Sequence, residues 1–387
     1  MGFLTGRVSC SRFRVLGRSP RQFGQEHIDQ LAEHAIGSQR IASGDGTQSG
    51  WIAGDHILDT RFDLAKNVIN DTLQFALRVD ALKIPSELVR AYTLIELAGL
   101  SASNPSGMPS ARQKREARAL AKERLDQEAQ DGRFLKQKSY PVLWDCQSNE
   151  LLLTSNAASV LDRVVPLFQE TFRARLEPIG AGQQALHLAE KRSQTRTVDD
   201  CEPATLVPSV TPKEYAWLPD PASRDFLGNE FLIWLWYRVE KESDTIELTD
   251  KSEVTVMFAR SLVLECPRGM TGRETITSEG PAALPEARRA IQSGKLPRKA
   301  GLTLVRHDKQ YELTLQAESL TIASARLPPS DESEERPRLE ERVTSLRHLI
   351  ETLVLLFDAF TKRRLGSEWA RELAAMQKWL HIDGRRS

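Results

Sequence analysis

Much that would mark an enzyme, a secreted scaffold or a membrane protein is missing from this sequence of 387 residues. Its four cysteines (Cys10, Cys146, Cys201, Cys266) lie far apart, with no CxxC pair and no CxxC…HxxxH spacing. That argues against a zinc site and a disulfide framework and predicts reduced thiols in a cytosolic protein. Excess charge is missing too: Lys+Arg and Asp+Glu both number 53. A polyanionic partner would have to be held by a local patch. No apolar run is long. The longest, in FLIWLWYRVE (231–240), has fewer than ten uninterrupted apolar residues. That is too short to cross a bilayer and predicts a buried helix. The first 22 residues carry five arginines but no apolar h-region, so they are not read as a secretory signal.

Catalytic signatures are equally scarce. There is no GxGxxG after a strand, no GxxxxGK[ST], no HExxH and no GxSxG. GDGTQSG (44–50) leads to Trp51 and not into a helix, so it reads as a loop and not a phosphate cradle. The seven histidines never pair at ligand spacing. His27 and His34 are two helical turns apart, roughly 10 Å, too far to share a metal. The acidic residues Asp331, Glu332, Glu334 and Glu335 sit in a proline-flanked spacer. These absences favour a binding protein over an enzyme, with no metal and no cofactor.

What is present is a mixture of strands and helices without a βαβ rhythm, which predicts an α+β fold of mixed antiparallel sheets with helices. Strands are expected at 5–16, 71–82 (half-buried), 140–144 and 151–154, then in TIELTD, EVTVMFA and LVLEC and in a meander over 301–327. Helices are expected at 25–36, at 84–100 with a cap at Ser86, and at 111–130. Another follows Ser155 or Asn156, with Pro166 bending it or near its start. LPEARRAIQSGK (284–295) is a helix closed by Gly294, and 339–364 and 367–380 are two more. Residues 191–213, polar and proline-bearing, read as a domain link, and PPSDESEERP (328–337) as an acidic break.

Two segments concentrate positive charge. ARQKREARALAKERLDQEAQ (111–130) carries Arg112, Lys114, Arg115, Arg118, Lys122 and Arg124, with an apolar stripe too thin for a core helix. Its acids Glu116, Glu123, Asp126 and Glu128 are spaced to pair with bases three or four residues away. Between 285 and 309 seven bases face two acids. Lys295, Arg298 and Lys299 fall in the turn SGKLPRK, and Arg268 and Arg273 in CPRGMTGRE. Turn cations of this kind reach phosphates without reading sequence. A solvated charged surface gives the same composition.

The order of motifs carries a resemblance. GSQ (37–39) precedes GW (50–51). The IPS helix start (84–86), the charged helix, GRF…LWDCQSNELLL and a helix with VLDRVVPLF follow. ALPEARRAIQSGK and a β-meander come far downstream. This resembles the bacterial recombination-associated RdgC family over nearly the whole chain, most clearly at 132–172 and 282–325. The resemblance implies a cytoplasmic, nucleoid-associated homodimer closed into a ring around duplex DNA. It implies sequence-independent binding and antagonism towards RecA. It also implies an elongated subunit: a central domain (1–105 and 140–192), a projecting helical tip (106–139), a linker (193–213) and a base domain (214–387). The tips would meet in the dimer, with Phe134 and Leu135 either in that interface or packed within their own chain. The family's basic stretch aligns near RETITSEG (273–280), which here holds only Arg273 among its bases. The expected DNA contacts are therefore Arg268, Arg273, Lys295, Arg298 and Lys299. The larger FLIWLWYRVE segment and acidic spacer point to a specialised or phage-encoded relative. The alternative is a structural or protein-interaction module that docks a partner on 111–130 without binding DNA.

Overall fold

A computed structural model describes residues 2–17, 20–38, 47–102, 104, 108–207, 215–218, 220, 222–268 and 272–381. In chain order its elements begin with β1 (Val8–Leu16), α1 (Gln25–Glu33), β2 (Thr47–Ile52), α2 (Leu64–Asn67), β3 (Val68–Ile69) and β4 (Thr72–Leu82). Then come α3 (Ser86–Ser101), α4 (Ala111–Gln130), β5 (Leu135–Asp145), β6 (Glu150–Leu153), α5 (Ala158–Phe172), β7 (Arg175–Pro178), α6 (Ala181–Glu190) and α7 (Thr195–Asp199). The C-terminal part has α8 (Phe226–Lys241), β8 (Thr245–Glu247), β9 (Glu253–Glu265), β10 (Arg273–Ser278), α9 (Pro285–Gln292), β11 (Leu296–Arg306), β12 (Lys309–Gln316), β13 (Ile322–Arg326), α10 (Glu335–Arg364) and α11 (Trp369–His381). The fold is mixed α+β with a large antiparallel sheet, as the patterning predicts.

The chain divides into two compact units. The larger comprises Met1–Phe23, Ala65–Gln74 and Pro141–Ser387; the smaller comprises Gly24–Leu64 and Phe75–Tyr140. This partition differs from the expected one. Residues 193–207 are no spacer, because Val198, Cys201 and Leu206 are buried in the same apolar cluster as α8. Apolar residues within a polar stretch decide that outcome, since each gains from leaving water. Residues 208–213 lie outside the described set.

In the larger unit the strands run β10-β9-β11-β12-β13-β1-β6-β5, each pair antiparallel. The start of β1 pairs with β13, and its remainder lies between β6 and β7. EVTVMFA and LVLEC, expected as two strands, form the single strand β9. A register shift against β11 absorbs the intervening residues, with Arg260 at φ 68°. Gly301 lies opposite this irregularity, where a Cβ would overlap the Ala259 carbonyl oxygen. A glycine is what such a close backbone approach requires.

Helix α8 is the centre of the core. Every residue from Phe226 to Tyr237 is buried, because a helix apolar on all sides needs partners on all sides. Phe231 and Trp234 meet Phe360 of α10 at 5.7 Å between ring centroids, and Trp236 meets Trp379 of α11 at 5.6 Å. The backbone of Gly228 abuts the Ala317 carbonyl. In an open helix Gly→Ala stabilises by up to about 1 kcal/mol. At this contact the sign reverses: Gly228→Ala is expected to cost about 1–3 kcal/mol through overpacking. Urea denaturation of the variant measures it, and a gain in stability would refute the contact.

Three local expectations differ from the structure. Strand β4 is buried on both faces from Thr72 to Arg78 and not half-buried. Helix α3 starts after Pro85 and has no side-chain cap, so Ser86 is its first residue and not its cap. Helix α5 follows Ala157, not Ser155 or Asn156, and of the two places expected for Pro166 the structure has it inside the helix and not near its start.

Candidate nucleic-acid interface

The five expected DNA-contacting residues occupy the β9–β11 region, but not as free turn cations. Lys295 is 4% exposed, and its ammonium is paired with Glu274. Its neighbours 296–299 belong to β11 and not to a turn. Arg298 is held by Glu265 at 3.0 Å and Glu318 at 2.6 Å, with its guanidinium 4.3 Å from the Trp217 ring. Burial pushes the Glu318 carboxyl up from its usual range, and the Arg298 charge opposes that shift. These carboxylates already neutralise Lys295 and Arg298. Lys299 is half-buried in β11 opposite Gln316. Arg273 is exposed at the start of β10 opposite Glu265, and Arg268 is exposed ahead of it. The cluster is close in sequence, but its Lys295 and Arg298 charges are internally matched.

The smaller unit presents its bases differently. Helix α4 begins at a capping box: Gln113 N–H donates to Ser110 Oγ at 3.2 Å, and Ser110 N–H donates to Gln113 Oε1 at 2.9 Å. The Gln113 amide also donates to the Leu100 carbonyl at 2.7 Å, tying α4 to the end of α3. Ala117, Ala121, Leu125 and Ala129 recur every four residues and are buried. This small-residue stripe lets α3 and α4 pack closely. Tyr92 of α3 donates to Glu128 at 2.7 Å and lies 4.4 Å under the Arg124 guanidinium.

Packing on the alanine stripe leaves most of the bases in water. Arg112, Lys114, Arg115, Arg118 and Lys122 are exposed and have no ion partner among the described residues. Of the intrahelical pairs the spacing allowed, only Arg124 with Glu128 forms, at 3.8 Å. At 3.6 residues per turn, Lys114, Arg115, Arg118 and Lys122 share an arc of about 100° and span about 12 Å, whereas Glu116 and Glu123 lie on the far side. Arg90 of α3 joins Arg118 and Lys122 around a groove of 610 Å³. Lys136 and Lys138, two apart on β5, are also exposed. The signal was in the sequence as spacing i, i+1, i+4, i+8 and not as a count of charges.

Of the two expected interface residues, Phe134 is 7% exposed and packs with Leu125, Ala129 and half-buried Leu88 and Tyr92 of the same chain. Leu135 is 43% exposed. A larger apolar surface lies on α3. Helix α3 has no buried residue at all. Ala91, Leu94, Ile95 and Ala98 form an exposed stripe at i, i+3, i+4, i+7, with Leu94 58% and Ile95 57% exposed. The signal was that apolar residues occupy every side of α3, a pattern that demands a cover.

The remaining chemistry-bearing groups are quiet. Burial holds the Cys10 thiol up at about 12 and the Cys201 thiol at about 11, so neither is a ready nucleophile near neutral pH. No cluster of three or more His, Cys, Asp or Glu suited to a metal occurs among the described residues. No described helix is long and apolar enough to cross a membrane. The chain matches no family model and no curated protein.

Proposed function

We propose that this protein is a non-catalytic, sequence-independent binder of duplex DNA that works as a homodimer. The observation that carries the reading is the α3–α4 hairpin, which has unpaired bases in one arc of α4 and an uncovered apolar stripe on α3. Duplex DNA carries one charge per about 1.7 Å of axis counted over both strands, so 12 Å of axis offers about seven phosphates to the four cations of the row. The DNA contact is assigned to Arg90, Lys114, Arg115, Arg118 and Lys122, with exposed Lys136 and Lys138 of β5 as further candidates. Arg268, Arg273 and Lys299 are secondary, and Lys295 and Arg298 are structural.

The α3 stripe is assigned to a second copy of the chain. Small Ala91 and Ala98 flank large Leu94 and Ile95, which suits close helix–helix contact. A stable interface buries about 800 Å² per partner, more than one such stripe offers. A second contact between the copies is therefore needed, as in a ring closed around DNA, the assembly the family resemblance implies. Occupying duplex in this way would restrain RecA by withholding its substrate and place the protein at the nucleoid. The exposed stripe equally suits an unrelated protein partner, which is the competing reading of the same hairpin.

Size exclusion with light scattering, followed by titration of long duplex DNA, separates these readings. A dimer that shifts DNA of any sequence supports the first; a monomer indifferent to DNA overturns it. Leu94→Glu with Ile95→Glu should convert the dimer to monomer at micromolar concentration, with the circular dichroism of the fold retained. Survival of the dimer would remove α3 from the interface.

A further inference from the structure

We propose that a cleft of 710 Å³ in the larger unit binds a small amino alcohol, an ammonium and a hydroxyl joined by a short alkyl body. The inference does not depend on the DNA reading. Strand β1, the start of α6, β11 and the turn after β12 form the walls, together with Trp217. Leu161, Leu186 and Leu218 supply apolar surface for the alkyl body.

Three buried polar atoms on residues that line this cleft have no hydrogen-bond partner among the described residues: Ser11 Oγ, Trp217 Nε1 and Glu318 Oε2. Glu318 is 6% exposed and Ser11 is 9% exposed. The other Glu318 oxygen, Oε1, accepts from Asn229 Nδ2 at 2.7 Å and meets Arg298 Nε at 2.6 Å. The Arg298 guanidinium also lies 4.3 Å from the Trp217 ring, which brings the open Oε2 and the open Nε1 to one corner of the cleft. A buried polar atom without a partner is costly, and each of these specifies what it lacks. Oε2 takes a donor, the indole N–H takes an acceptor, and the serine hydroxyl takes either.

The lining charges decide that the donor is a cation. Arg12 is matched by Glu150 at 2.8 Å, and Glu177 by Arg14 at 3.5 Å. Arg298 is shared between Glu318 and Glu265, the latter at 3.0 Å, which leaves one carboxylate over. Asp225 is stabilised at the start of α6 by Gly182 N–H at 2.8 Å. Asp199 and Asp220 are exposed and have no ion partner among the described residues. Against these stands Arg224, which donates to the carbonyls of Val198 and Ala222 at 3.3 and 2.9 Å. The remainder is negative, three carboxylates to one guanidinium, and it selects an ammonium. Burial pushes the Glu318 carboxyl up, and an ammonium at Oε2 would draw it back down. The ligand's hydroxyl then accepts from Trp217 Nε1.

A ligand-observed NMR titration of the full chain, with aminohexanol as the probe, tests this. One saturable site per chain is expected, with hexanediol and hydroxyhexanoate each at least about tenfold weaker. Glu318→Gln keeps the oxygen that serves Asn229 and removes the charge. It should weaken aminohexanol about tenfold and leave hexanediol unmoved. Trp217→Phe keeps a ring under Arg298 and removes the N–H, so it should weaken aminohexanol and hexanediol alike. Circular dichroism checks both folds, and the ligand series on the unaltered chain decides the matter if either variant fails to fold. Absence of a saturable site, equal affinity for hexanediol, or indifference to Glu318→Gln would each overturn the assignment.

Discussion

Replacing Lys114, Arg115, Arg118 and Lys122 together by Ala is expected to remove most DNA affinity and more than half of its dependence on salt. Each phosphate contact contributes about 0.9 to the slope of log K against log salt. Four contacts in each of two protomers give a slope of about −7, so raising salt from 50 to 200 mM should cost the unaltered protein about 10⁴-fold. The variant should lose about the same factor at low salt and keep only the shallower dependence that Arg90, Lys136 and Lys138 supply. The loss should be equal for unrelated duplex sequences, since phosphate contacts carry no base information. Folding should be preserved, because all four side chains are exposed and none has an ion partner among the described residues. The matched control is Lys295→Met, which leaves Glu274 unpaired and should affect stability more than DNA affinity. Fluorescence anisotropy across a salt series reads both. Unchanged affinity and salt dependence in the fourfold variant, or a large loss of affinity in the control, would return the site to the β9–β11 region.

That contrast explains why the basic cluster at 285–309 misleads when read as sequence. Composition counts cations, but only tertiary structure brings Glu265, Glu274 and Glu318 against them. Those acids are remote in sequence from Arg298 or Lys295; Glu265 and Glu274 become partners through the pairing of β9, β10 and β11, and Glu318 through the turn after β12, which pairs with β11. The bases of α4 were legible because a helix sets its own geometry. Its alanine stripe fixes which side packs, and the arc of cations follows from the 3.6-residue period. The uncovered face of α3 was legible in principle too, but Leu88, Tyr92, Ile95 and Leu97 match the pattern of a helix with one buried side. In fact Leu88 and Tyr92 pack on α4, while Ile95 with Leu94 faces water.

The fold was legible where local patterning suffices. The meander over 301–327, the helix closed by Gly294 (φ 88°) and the bounds of α4 all follow from periodicity and capping chemistry. It was illegible where one residue rewrites a boundary. Arg260 in the left-handed region fuses two strands into β9, and no periodicity announces that. Residues 193–207 read as a polar link because Arg196, Asp199, Asp200 and Glu202 dominate their composition. Three apolar side chains and one buried ion pair nevertheless fix them to the core.

Disrupting that ion pair should have the largest effect on stability. Glu230 of α8 is 3% exposed. One of its oxygens accepts from Ala204 N–H at 2.6 Å, and the other meets Arg364 Nε of α10 at 2.6 Å. Arg364 Nη2 donates to the Glu202 carbonyl at 2.6 Å, and the guanidinium lies 4.8 Å from the Trp369 ring. Burial alone would lower the Arg364 pKa, but the Glu230 carboxylate outweighs it and holds the group above its ordinary value. One pair thus joins 202–204, α8, α10 and the start of α11. Glu230→Ala strands a buried guanidinium, and Arg364→Ala strands a buried carboxylate. Each should cost about 3–5 kcal/mol, because an unpaired buried charge loses its partner and keeps its desolvation. That is a large share of the 5–15 kcal/mol by which a folded domain is usually stable. The double variant Glu230→Leu with Arg364→Met should recover most of the loss, since well-packed apolar groups replace both charges at once. Urea denaturation with unchanged m-values provides the comparison. Single variants that each cost under about 1 kcal/mol, or a double variant as unstable as the sum of the two, would mean that the pair is not what fastens this segment to the core.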